Sequence, residues 1–324
     1  MNLISTIPIV MCYLDGAHLT THSEDTLSRI RSASIESLES DQELAILSDY
    51  ILSIVPPRDA LDTAGRVATA IKLPDTIERR QRLEDTDGLP TRRNPYYIDL
   101  NAISGRQSAE VGSLFVDTST ASSGGSSVFC HYLDGGIIGL PPSNDNSSPD
   151  GTWKKPSLVL SGDVEFPATF SRLSEILNVK MVSPKIGAAS TLKLSFAALT
   201  KGLTALSILS FSTVQQDSLL PDLLQHLDEY APAVASWSKR SVTGMAPKAY
   251  RWTDEMRAIG EAFDTEGYWN GTGAAVYDSF AEVYRTIAED TVLGEEKVDR
   301  RTRGTTAEDA AEIIASSRGK TWTT

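Results

Sequence analysis

The sequence predicts a parallel α/β sheet with crossover helices, followed by an all-helical region. Three observations carry this. Short apolar runs, each ending in polar, Gly or Pro residues, alternate with helix-period segments up to about Ser183. No strand candidate appears after Thr213. Between the two regions lies KIGAASTLKLSFAALTKG, Lys185 to Gly202, a small-residue and apolar run carrying the lysine Lys193.

In chain order, Ile7 to Leu14 is a β-rich run closed by Asp15-Gly16, a strand and turn. Ser23 to Ser34 reads as a helix opened by Ser, Glu and Asp, and Asp41 to Leu47 as a short helix. Tyr50 to Val55 is a buried strand stopped by Pro56-Pro57, and Asp59 to Ile71 has helical period. Pro74 to Asn94, dense in charge, reads as an exposed insertion or mobile loop. Tyr96 to Leu100 is a strand ending in Asp-Leu-Asn, and a Ser-capped helix follows from Ser104 to Leu114. Phe129 to Leu133 is a strand ending in Asp134-Gly135-Gly136. Leu158 to Ser161 is another, then a helix from about Glu165 and a last strand around Lys180 to Ser183. Ser119 to Ser127 and Pro141 to Gly151 are Ser/Gly/Asn/Pro-rich loops, the second placed to act as a lid. Ligands of parallel sheets bind beyond the strands' carboxyl ends, which makes Asp15, Pro56-Pro57, Asn101 and Asp134 to Gly136 the expected rim of one crevice.

The run after Lys185 predicts one helix of roughly 25 residues, to about Thr213. At 100° per residue, Thr200, Thr204 and Ser207 fall within about 40° of Lys193, a polar stripe on an apolar cylinder. Two readings stand side by side: a lined cleft, or a surface lysine with hydroxyls bonded back to helix carbonyls. Leu219 to Tyr230, Lys248 to Ala262 and Ala274 to Glu289 read as further amphipathic helices. The charged tail from Glu295 reads as a frayed helix or an arm. The expected divisions are 1–184, 185–294 and 295–324.

At 324 residues with 40% hydrophobic content, the chain suits a soluble protein of about two domains. A net charge of -13 without basic clusters argues against nucleic acid and anionic membranes as partners. Cys12 and Cys130 make no disulfide framework, and with His18, His22, His131 and His226 scattered there is no metal-site spacing. No convincing signal peptide is present, and no apolar run reads as long enough for a membrane span, so a cytoplasmic address is expected.

The order YILSIVPP, YYIDLNAIS, LDGGIIGLPP and GAASTLKLSFAALTKGLTAL, with RWTDEMRAIGEAF beyond it, resembles the 6-phosphogluconate dehydrogenase-like, or β-hydroxyacid dehydrogenase, superfamily over about residues 10 to 290. It is most similar to a branch of NAD(P)-dependent oxidoreductases with a GAASxLK…ALTKG helical domain. The resemblance implies a Rossmann-like first domain, an α-helical second one, and a homodimer through the helices. It implies hydride transfer between a small hydroxy, carbonyl or imine-type substrate and NADP or NAD, with Lys193 as general acid/base. Asn101 and Ser104 would face nicotinamide and substrate. The turn Asp134, Gly135, Gly136, Ile138, Gly139 would offer amides to a substrate anion. Val55, Pro56 and Pro57 would border the cofactor ribose, which Asp15 would bond.

The departures are equally informative. The strand, GxGxxG and helix that open typical members are absent, and Ile7 to Leu14 corresponds to the family's second strand. The one GxG, Gly271-Thr272-Gly273, lies in the helical region. The Asn expected four residues after the catalytic lysine is Ala197, which leaves substrate polar contacts to Thr200 (a candidate catalytic group), Lys201 or the loops. A wall of Ile137, Ile138, Phe196 and Leu199 suits a substrate less charged than a sugar phosphate. Three functions follow: an oxidoreductase with the missing unit replaced, a repurposed cofactor-independent catalyst of isomerisation, dehydration or cyclisation, and a non-catalytic dimeric scaffold.

Overall fold

The computed structural model describes residues 28–318 except 29, 33–34, 36, 89–93, 118–126, 145–152 and 299. The strand expected at Ile7 to Leu14 and Asp15 lie outside these residues, as do most of the helix expected at Ser23 to Ser34 and most of both low-complexity loops. The chain forms two compact units, Met1–Lys193 and Leu194–Thr324.

The first unit is built on five strands, β1 (Tyr50–Ser53), β2 (Tyr96–Asp99), β3 (His131–Ile138), β4 (Ser157–Ser161) and β5 (Val179–Ser183), in that spatial order. β1, β2 and β3 run parallel, β4 is antiparallel to β3, and β5 is parallel to β4. The sheet is therefore mixed rather than wholly parallel. All four residues of β2 are buried, as its central place demands. Alternate side chains feed two cores. Ile51, Tyr97 and Tyr132 pack with α2 (Ala60–Lys72) and α4 (Gly105–Ser113), while Tyr50, Tyr96, Ile98 and Leu133 pack with α5 (Ala168–Leu177). Tyr50, Tyr96 and His131, register partners across three strands, stack at 5.4 and 4.7 Å between ring centroids.

Of the segment expected as a loop from Pro74 to Asn94, the described part up to Gly88 is not one. Residues Pro74–Asp87 form α3, opened by a proline in its first turn and closed by Gly88 at φ 69°. Its anchor is Arg80, 1% exposed, which donates from Nη1 to the carbonyls of Ala45 (2.6 Å), Ile46 (3.2 Å) and Ser48 (2.9 Å) at the end of α1 (Asp41–Leu47). Asp49 lies 3.6 Å from the same guanidinium. A buried cation at a helix C-terminus satisfies orphan carbonyls and the helix dipole together.

The run expected as one long helix is α6 (Ala188–Gln215), 28 residues. By length and mean hydropathy of 1.5 it is apolar enough to cross a membrane, contrary to the reading of the sequence alone; half of that apolar window is buried within the protein.

The second unit holds the rest of α6 with α7 (Leu220–Tyr230), α8 (Pro232–Met245), α9 (Ala249–Thr265), α10 (Thr272–Asp290) and α11 (Ala307–Ser317). Glycines let α9 and α10 approach: a Cβ on Gly260 would stand 2.9 Å from Ala274 Cα, and one on Gly273 2.8 Å from the Gly260 carbonyl. The described part of the tail is neither a frayed helix nor an arm. Thr306 caps α11, whose Ala307, Ala310, Ala311 and Ile314 join the core of this unit. The Glu296 carboxylate accepts from Thr302 N, Thr302 Oγ1 and Arg303 N, fixing the approach to it.

Candidate functional site

Asp134, in the middle of β3, and Ser161, at the end of β4, meet the start of α6. Asp134 on β3 is fully buried, and its carboxylate is surrounded by donors. Ser108 Oγ donates at 2.8 Å, Ser161 Oγ at 2.7 Å, Ser190 N at 3.0 Å, and Ser190 Oγ closely. Ser161 Oγ in turn accepts from Ala189 N at 3.0 Å. Two strand side chains thus satisfy the first amides of the helix, a place where negative charge is favoured. Tyr132 Oη extends the chain of hydrogen bonds to Ser108 at 2.8 Å. Burial, followed by the negative charge of Asp99, pushes that phenol well above its ordinary range.

One turn further along α6, the stem of Lys193 crosses β3 at Gly136. A Cβ on Gly136 would lie 2.7 Å from Lys193 Cβ and 2.8 Å from its Cγ; real Cβ contacts do not come so close. On Gly135 it would meet Leu160 Cδ2 at 2.6 Å and Leu100 Cδ2 at 2.9 Å. The expected glycine turn is therefore a correction. Asp134 to Ile138 is strand, paired antiparallel with Ser157 to Ser161, and the two glycines provide space. The backbone turns out of this strand at Gly139, φ 125°, where a Cβ would stand 3.2 Å from Pro156 Cα; Ile138 is half-buried beside it.

Asp99, at the end of β2, went unnoticed in the sequence. Its Oδ1 accepts from Asn101 N at 2.9 Å, while its buried Oδ2 has no hydrogen-bond partner among the described residues. Burial drives the carboxyl up to about 7; the Asn101 amide opposes this, and the Asp134 charge adds to it. Asn101 accepts from Val55 N at 2.7 Å and donates from Nδ2 to Ser53 Oγ at 3.0 Å, tying the ends of β1 and β2 together. Ser104 caps α4 through a reciprocal pair with Gln107, and Gly187, φ 91°, packs directly on Gly105. Asp99 and Ser161 carried one local signal, a polar residue at the end of an apolar run; Ser108 and Ser190 carried none.

In the second unit, the hydroxyl stripe follows the back-bonding alternative. Thr200 Oγ1 donates to Phe196 O, Thr204 Oγ1 to Thr200 O and Ser207 Oγ to Leu203 O, the last also reaching Ser238 Oγ at 2.8 Å. Lys201 is ion-paired with Glu255 and lies 5.0 Å over the Trp252 ring. Phe196 and Leu199 are exposed, 45% and 77%.

Comparison with known proteins decides the fold. A conserved hypothetical protein from Sinorhizobium meliloti, 17% identical, superposes with a TM-score of 0.52 over 91% of this chain and 83% of its own. A conserved protein of unknown function, described as structurally similar to 3-hydroxyacid dehydrogenases, is 17% identical with a TM-score of 0.52 over 84% and 86%. The chain shares the fold of these two structures. A 3-hydroxyisobutyrate dehydrogenase from Mycobacterium tuberculosis, solved with L-serine, is 14% identical over 92% and 89%, TM-score 0.49. Residues 215–287 match a domain of unknown function (DUF1932). No curated protein matches the chain.

The nicotinamide dinucleotide that the sequence resemblance implies carries a diphosphate, which needs open backbone amides. Those following β1, β2 and β5 are closed in this chain. After β1, Pro56 and Pro57 have no N–H and Val55 N is held by Asn101. After β2 the capping pair occupies the helix start, and after β5 Ser161 and Asp134 do so. Beside Gly271-Thr272-Gly273, the Asp264 carboxylate already accepts from Gly273 N at 2.8 Å and Ala274 N at 2.9 Å. At these four places the residues do not fit a diphosphate.

Proposed function

We propose that the chain is a small-molecule enzyme of the oxidoreductase type, in which Lys193 exchanges a proton with a substrate hydroxyl, carbonyl or imine group. The observation that carries this is the seating of Lys193, its stem held in a slot that only glycine leaves open at the β3 crossing. A lysine whose stem is seated against the sheet suits general acid/base work. As the free amine it takes the proton of a hydroxyl being oxidised; as ammonium it returns that proton in reduction. Asn101 acts here through the loop it ties down, and Asp134 and Ser104 through the helices they cap. The half-buried Ile138 beside this slot suits a substrate of low charge. The fold suggests NADP or NAD as cofactor, and no proton step above runs through it.

The closed amide groups favour a second reading, in which the same lysine serves a cofactor-independent isomerisation, dehydration or cyclisation. Calorimetric titration with NADPH and NADH separates the two: binding supports the oxidoreductase, and turnover without binding supports the second reading. Turnover surviving Lys193→Met removes both. We also propose a homodimer, supported by the exposed apolar side chains Phe196, Leu199, Leu206 and Leu209 on one face of α6.

A further inference from the structure

We infer that Asp134 and Ser190 are positioning residues for Lys193, a two-point lock between β3 and α6 that fixes where the amine is presented. The inference rests on the proposed acid/base role of Lys193 and goes beyond it by assigning the groups that hold that residue. Asp134 and Gly136 are two apart on one strand, so they share a face of the sheet. Ser190 and Lys193 are three apart on one helix, so they share a face of α6. The two faces meet in register. Asp134 binds Ser190 through both its backbone N–H and its hydroxyl, and Gly136 receives the Lys193 stem.

Each point constrains a different freedom. The Asp134 bonds fix the rotation of α6 about its axis, because a turned helix would withdraw both the Ser190 amide and the Ser190 hydroxyl. Contact at Gly136 fixes the distance between helix and strand. Ser161 adds a third restraint, accepting from Ala189 N while donating to Asp134, so the first two amides of the bundle of bonds are held by neighbouring strands. Ser108 holds the other carboxylate oxygen from α4. Capping alone would need one acceptor near the helix start, whereas here a buried carboxylate receives two bonds from one serine, three residues from the lysine. A cap serves the whole helix; this pair of bonds serves its azimuth, and Lys193 is the polar side chain which that azimuth delivers to β3.

The test reads the lysine itself. In the full-length protein, the pH dependence of acetylation by acetic anhydride is measured peptide by peptide with mass spectrometry, for the wild type, Ser190→Ala, Ser190→Thr and Asp134→Asn. Ser190→Ala is expected to change the Lys193 labelling rate at fixed pH by about threefold, equivalent to about half a pKa unit. Ser190→Thr, which retains the hydroxyl, is expected to restore it, and Lys185 labelling is expected to stay constant in all variants. A Lys193 profile unchanged in Ser190→Ala, with only the melting temperature lowered, overturns the inference and leaves a plain cap. Should Asp134→Asn fail to fold, the two serine variants decide alone. Turnover in Lys193→Met bears on the acid/base reading only, so the two failures are told apart.

Discussion

Asp99 and Asp134 are register partners on adjacent parallel strands, and their carboxyl groups are satisfied in opposite ways. Asp134 is ringed by serine and backbone donors, whereas the buried Oδ2 of Asp99 has none among the described residues. Burial and the neighbouring Asp134 both push the Asp99 carboxyl up.

The asymmetry predicts a pH dependence of stability. Burial raises the Asp99 carboxyl from 3.8 to about 7, so the folded state binds a proton that the unfolded chain has already released. Stability from this group is fully present below the unfolded value and declines as pH rises towards the folded one. Asp99→Asn removes that decline. Urea midpoints measured from about pH 5 to pH 8 should fall in the wild type and fall less in the variant. Parallel curves for the two proteins would show that Asp99 does not titrate in this window. Tyr97 and Tyr132, raised beyond this range by burial, do not contribute.

Gly136→Ala places a methyl within 2.7 Å of Lys193 Cβ. Neither partner is a flexible chain end, so the strand and α6 must separate. The expected cost is about 1–3 kcal/mol in chemical denaturation, accompanied by loss of any Lys193-dependent turnover. Unchanged stability would mean that the slot is wider than described.

Arg80→Met tests the reassignment of residues 74–87. The substitution preserves most of the apolar stem but leaves the carbonyls of Ala45, Ile46 and Ser48 without their buried donor and Asp49 without its nearby cation. A loss of about 2–4 kcal/mol is expected by urea unfolding. An effect below about 0.5 kcal/mol would return α3 to the status of a surface segment.

These elements also show what local sequence conveys and what it does not. YYIDLN and LVLSG read correctly as strands with polar ends, because apolar runs and breakers are local signals. Arg80 was illegible, since its acceptors sit 32 to 35 residues earlier and charge density alone suggests a solvated loop. Asp134-Gly135-Gly136 read as a turn because glycine pairs usually mark one. Here they make room for Leu160, Leu100 and Lys193, neighbours that only the tertiary fold reveals. The cluster of Ser108, Ser161 and Ser190 around Asp134 is likewise a long-range fact: each serine is unremarked in its own segment, and only the crossing of β3, β4, α4 and α6 makes them one network.

The exposed face of α6 supplies a last prediction. Phe196, Leu199, Leu206 and Leu209 are 45%, 77%, 51% and 46% exposed, and at 100° per residue they fall within about 140° of one another. Leu199 has so little contact within its own chain that replacing it by glutamate should leave an isolated protomer folded. In a homodimer through this face, the same substitution would bury two like charges without partners, at a cost of several kcal/mol. Leu199→Glu should therefore convert a dimer into a folded monomer in sedimentation equilibrium, with helix content by circular dichroism retained. A wild type that sediments as a monomer, or a variant that stays dimeric, would place the interface elsewhere and leave this stripe to another partner.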